Sequence, residues 1–144
     1  MNKAVYYKFM FIISGSLNIL AALLFGIFAL TLPDFFSYFG LQKPNGYIWY
    51  LTCLLFAAIM GFQYFLVGLD ISKNHLVVSS GIFSKFASFF VALLFFILGS
   101  CNWVPLLLTG VNLVFGALFI EFFVNYKKLD TQEIMAAYSP LKKG

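Results

Sequence analysis

Lys85 and Glu121 are charged side chains set inside long apolar runs, and Asp70, Gln63, Tyr64 and Asn18 are polar groups at comparable depth. An ammonium in hydrocarbon is costly, so it pairs, serves a ligand or ion, or stretches its stem to the headgroups. Two arrangements of Lys85 therefore stand open. In one, it pairs with Glu121 inside the bundle, with Asp70, Gln63, Tyr64 and Asn18 around the pair. In the other, both side chains snorkel to the inner surface. A pair can supply a binding or proton-linked site, or it can merely set helix register.

The elements that must hold these groups are membrane helices. Of the 144 residues, 62% are hydrophobic and only 10% are charged; a soluble domain carries about 25% charge. This excludes an ordinary soluble globule, a disordered chain and a nucleic-acid-binding domain. A crossing needs about 20 apolar residues. Four stretches meet that length, at about residues 9–32, 47–69, 76–98 and 103–126, followed by a short tail over 127–144. The runs are continuous rather than alternating, which favours helices over a barrel. The expected architecture is an all-α membrane protein, a bundle of four transmembrane helices. The first run is too long for a cleaved leader.

Lysine placement orients the bundle. Lys3, Lys8, Lys73, Lys85, Lys127, Lys128, Lys142 and Lys143 fall on one side of a four-span arrangement and Lys43 on the other. By the positive-inside rule both termini are cytoplasmic. Tyr47, Trp49, Tyr50 and Trp103 then mark the outer interface, and Tyr6, Tyr7 and Tyr126 the inner one. At 1.5 Å per residue, Lys85 lies about 13 Å from the inner end of its run and Glu121 about 8 Å deep. Gln63 and Tyr64 stand about 9–10 Å above Asp70, and Ser14 and Asn18 about 9–15 Å into the first run. All four helices thus place a polar group in the inner leaflet.

Small residues should mark the inward faces, because lipid supplies no hydrophobic drive between helices. They are Gly15, Ala22, Gly26 and Ala29; Cys53, Ala57, Gly61 and Gly68; Gly81, Ser88, Ala92 and Gly99; and Gly110 and Ala117. Lys85 shares a face with Ser88. A short echo, Gly15-Ser16-Leu17-Asn18 and Gly110-Val111-Asn112, points to two asparagines that hydrogen-bond between helices.

The connections have their own signals. Asp34 is placed to cap a short helix ended by Gly40, with Phe35, Phe36, Tyr38 and Phe39 in the outer interface. Asn102 is placed to cap the fourth helix, with Pro105 in its first turn. The four-residue connection Gly99 to Asn102 makes helices three and four antiparallel neighbours. His75 should be solvated. Asp130 to Glu133 forms a capping box for a tail helix stopped near Pro140, with Ile134, Met135 and Tyr138 resting on the membrane.

Some of these residues resemble small bacterial four-helix membrane proteins of the DoxX-like type. The likeness runs from about Lys8 to Tyr126. It rests on Gly15, on Pro33, Phe39-Gly40-Leu41 and Pro44, on Gly61-x-x-Tyr64 with Asp70, and on Gly81 followed by Lys85. The resemblance implies a compact bundle in the bacterial cytoplasmic membrane, and in some relatives an association with quinone-linked redox systems. No catalytic residue carries over. The absence of arginine departs from the usual family composition.

Three functions compete. The first is a non-enzymatic accessory bundle that holds a lipid or other amphiphile at the polar site formed by Lys85, Glu121, Asp70, Gln63, Tyr64 and Asn18. The second is a small transporter or channel working through Lys85 and Glu121, completed by a homo-oligomer. The third is a quinone-linked redox subunit. Membrane lipids, a second copy or another membrane protein are the expected partners, and lipid or quinone the expected ligand.

Overall fold

The computed structural model describes residues 2–129 and 131–138. It is all helical over its ordered elements: α1 (Lys3–Thr31), a 3-10 turn (Ser37–Phe39), α2 (Ile48–Leu69), α3 (His75–Ile97), α4 (Val104–Asn125), a second 3-10 turn (Tyr126–Lys128) and α5 (Thr131–Tyr138). Four of these helices are long and apolar enough to cross a membrane. The protein is a multi-pass membrane protein of the four-helix-bundle class.

The helix ends follow local chemistry. α1 begins six residues before the apolar run, because the Asn2 side chain accepts from the Ala4 N–H at 2.9 Å and caps it. Hydropathy marks where lipid contact starts, whereas the cap marks where the helix starts. α1 stops before Pro33, which drives Leu32 to extended backbone. α3 ends in a Schellman turn: Gly99 has φ +69°, and Ser100 N–H donates to the Phe95 carbonyl at 2.9 Å.

The helices form two hairpins. In the first, α1 and α2 touch at their backbones. A Cβ on Gly15 would lie 2.5 Å from the Gly61 carbonyl oxygen, and one on Gly61 would lie 2.8 Å from Asn18 Cβ. In the second, the four-residue turn makes α3 and α4 antiparallel neighbours, as expected. Here the close contact is Gly116 against the Phe86 ring, at 2.9 Å from a built Cβ. Gly110, expected to face inward, would meet nothing within 4 Å, and Ala117 is exposed. Cys53 also lies on the outside. Gly99, in the turn after α3, is exposed with nothing within 4 Å of a built Cβ. These four were placed inward from residue size alone, but size permits close packing without choosing the face that packs.

Packing is tightest toward the lysine-rich end. Tyr7, Phe11, Tyr64, Val67, Val78, Phe119 and Phe122 are essentially inaccessible there. The tail closes that end instead of resting on lipid. The Tyr138 hydroxyl donates to the Gly68 carbonyl at 3.0 Å and accepts from Ile71 N–H at 3.1 Å. Lys8 donates to the Ala137 carbonyl and lies 4.5 Å from the Tyr138 ring centroid. Ile134 packs on the core, while Met135 is exposed. Asp130 and Pro140, the expected start and stop of this helix, lie outside the described residues, as do Lys142 and Lys143. His75 is half-buried, not solvated: it opens α3 and stacks on Tyr126 at 4.0 Å.

At the other end, Phe35 and Phe36 fold inward against Ala29. They were expected at the lipid interface, which Tyr38 alone of that group occupies with high exposure. The Asp34 carbonyl, not its side chain, accepts from Ser37. Asn102 stands one residue before the N-cap Trp103 rather than at it, yet its side chain braces the start of α4, accepting from Val104 N–H at 3.0 Å, and it joins the two connections at that end by donating to the Tyr38 carbonyl at 2.8 Å.

Candidate site at the seam between the two hairpins

Lys85 projects from α3 into the seam between the hairpins and is 3% exposed. Its Nζ donates to Asn18 Oδ1 on α1 at 2.8 Å and to Asn112 Oδ1 on α4 at 2.8 Å. Asn112 Nδ2 in turn donates to Ser88 Oγ at 3.1 Å, and Ser88 Oγ donates to the Lys85 carbonyl at 3.0 Å. The loop of bonds uses both ends of the Asn112 amide and fixes its orientation. The Tyr64 and Phe115 ring centroids lie 5.4 and 5.7 Å from Nζ, within cation–π range. Tyr64 itself is held by Ser84, whose hydroxyl donates to the Gly81 carbonyl and receives the Tyr64 hydroxyl at 3.0 Å.

The expected Lys85–Glu121 pair does not form, and neither does the snorkelling arrangement. Glu121 lies near the end of α4 and accepts from the Tyr7 hydroxyl at 3.1 Å and the Tyr6 hydroxyl at 3.5 Å. Asp70 ends α2, where it binds Ser72 and forms an ion pair with Lys73 at 2.9 Å. The Ser72 hydroxyl, and then Lys73, hold the Asp70 carboxyl below its usual range. Gln63 is half-buried and joins neither group. Of the six candidate residues, the fold brings together Asn18, Tyr64 and Lys85. The reason is rotational: two residues at equal depth meet only if their helices turn them to the same side. The depth also shifts. Lys85 stands about 15 Å from His75 and about 18 Å from Ile97 along α3, near mid-length rather than near the inner surface.

Asn112 completes the site and was not among the six candidates. Its signal was the short Gly–Asn echo between the first and fourth runs. Both echoed asparagines accept from the same ammonium.

Lys85 carries a charge with no carboxylate within ion-pair distance among the described residues. An uncompensated charge at this depth costs about 3 kcal/mol. Two amide oxygens and two rings soften that cost without cancelling the charge. The group lines a cavity of about 470 Å³ between α1 and α4. A second, of about 280 Å³, reaches Lys85 and Asn18 from the α2–α3 side. The larger cavity is walled by Leu17, Ala21, Leu24 and Phe28 of α1 and by Leu108 and Val111 of α4. Its volume falls in the range of small-molecule pockets, about 300–1,000 Å³. Leu17, Leu24, Phe28, Leu108 and Val111 are also exposed, so the cavity opens sideways to lipid.

Comparison with family models, with characterised proteins and with solved structures finds no match to this chain.

Proposed function

We propose that this protein is a non-enzymatic membrane bundle that takes an amphiphilic molecule from the bilayer into the seam between its two hairpins. The observation that carries the reading is the buried Lys85 ammonium, without an anionic partner among the described residues, lining an apolar cavity that opens to lipid. A polar anchor beneath an apolar groove suits a molecule with a polar head and a hydrocarbon body. The lysine-rich end faces the cytoplasm in this reading, by the positive-inside rule. The likeness to DoxX-like proteins is compatible with it, since Lys85 and Tyr64 meet at the seam and Gly81 packs on Tyr64. A bacterial cytoplasmic membrane is the location that likeness favours.

Native mass spectra of protein purified gently into lipid nanodiscs test the reading. Wild type should carry a discrete bound molecule that Lys85→Ala loses. Equal spectra for the two proteins, both free of adducts, would sink it.

A further inference from the structure

Three hydrogen-bond donors around the larger cavity have no acceptor among the described residues. The first is the third N–H of Lys85, whose other two serve Asn18 and Asn112. The second is the Ser14 hydroxyl, fully buried and without a partner. The third is the Asn18 amide nitrogen, since only the oxygen of that amide is engaged. Ser14, Asn18 and Lys85 all line the 470 Å³ cavity. Among the described residues Ser14 carries the one buried side-chain hydroxyl without a partner. Thr31, Thr52, Ser80, Ser84, Ser88 and Thr109 all return their hydroxyls to a carbonyl three or four residues back. Ser14 has the same helical option and does not take it. In hydrocarbon, where water does not substitute, an unsatisfied donor is unfavourable.

We infer that this cluster is the head-binding site for a single-chain carboxylate, a long-chain fatty acid anion, whose tail lies along the α1–α4 groove. The inference rests on the amphiphile reading and assigns its ligand class. Two carboxylate oxygens match a donor set of one ammonium, one hydroxyl and one amide, and one negative charge balances Lys85. A neutral head leaves that charge uncompensated. A phosphate monoester carries about −1.5 to −2 charge, too much for one lysine in a chain with no arginine. The groove from Ser14 to Phe28 is about 21 Å long. The acid reaches it sideways, past the exposed Leu17, Leu24 and Val111.

The test uses full-length protein in nanodiscs of zwitterionic lipid, with palmitate, hexadecanol and hexadecyl phosphate as probes. Binding is read by native mass spectrometry and by the carboxyl ¹³C signal of labelled palmitate. One palmitate per chain is expected, with hexadecanol about tenfold weaker or worse. Ser14→Ala should weaken palmitate about tenfold yet raise the thermal midpoint of ligand-free protein, because it deletes an unsatisfied hydroxyl. A merely structural serine would not move those two readings in opposite directions. Lys85→Met should abolish palmitate binding; if that variant does not fold, Ser14→Ala carries the test alone. Hexadecanol bound as tightly as palmitate, or hexadecyl phosphate bound more tightly, overturns the carboxylate assignment and leaves amphiphile capture standing. No binding of any probe to folded wild type overturns both.

Discussion

Lys85 and Asn112 grip each other twice across the α3–α4 hairpin. The Lys85 ammonium donates to the Asn112 amide oxygen at 2.8 Å, and the Asn112 amide nitrogen returns to the Lys85 carbonyl through Ser88. The same ammonium reaches Asn18 on the other hairpin. One side chain therefore joins α1, α3 and α4 at mid-depth.

Replacing Asn112 tests that junction. Asn112→Leu removes an acceptor from a buried cation and should cost about 1–3 kcal/mol, read as a lower midpoint in reversible unfolding from mixed micelles. Asn112→Asp places a carboxylate beside Lys85. It should keep stability within about 1 kcal/mol of wild type while blocking an anionic ligand. A stable aspartate variant that binds palmitate normally would show that Lys85 does not receive the head.

Gly61 and Gly110 are a matched pair on different faces. Gly61→Ala drives a Cβ to 2.8 Å from the Gly15 carbonyl oxygen and should destabilise by about 1–3 kcal/mol. Gly110→Ala meets nothing within 4 Å and should be neutral or slightly stabilising, since alanine favours the helix. Thermal midpoints in one detergent decide it; equal losses would mean the hairpin contact is misassigned.

Docking of α5 depends on the Tyr138 hydroxyl, which serves both the Gly68 carbonyl and Ile71 N–H. Tyr138→Phe leaves two backbone groups without their partner, a loss of about 1 kcal/mol local to the tail. Amide hydrogen exchange over 131–138 should accelerate about fivefold, with exchange in α1 to α4 unchanged. Uniform acceleration would mean that the tail supports the whole bundle.

Acid should loosen the α2–α3 corner. The Asp70 carboxyl is held below its ordinary value by Ser72 and Lys73. A depressed folded pKa gives stability that is present above the unfolded value, about 3.9, and lost as pH falls through the folded one. The side chain is 38% exposed, so the effect is only a few tenths of a kcal/mol. Wild type should lose this increment below about pH 4, and Asp70→Asn should lack it at every pH. An identical acid limb in both proteins would assign the loss to other carboxylates.

The two native cysteines report the orientation. Cys101 sits in the α3–α4 turn, whereas Cys53 faces lipid about 8 Å into α2. A membrane-impermeant maleimide added to intact cells should label Cys53→Ala protein and spare Cys101→Ala protein. Labelling only after the membrane is opened would reverse the assigned orientation.

The sequence alone determined the four spans and the antiparallel pairing of the last two, because hydropathy, connection length and rise per residue act along one dimension; the depth of Lys85 moved to mid-length once the helix ends were set by their caps. The sequence also carried the bond from Asn102 to the first turn of α4, which depends on local residue type and spacing. What it did not carry is rotation about each helix axis. Nearly every face of these helices is apolar, so no amphipathic stripe says which way Lys85, Glu121 or Gly110 turns. Tertiary packing made that choice. It sent Lys85 to Asn18 and Asn112, left Glu121 with Tyr6 and Tyr7, turned Gly116 inward in place of Gly110, and folded the tail onto the bundle through Tyr138.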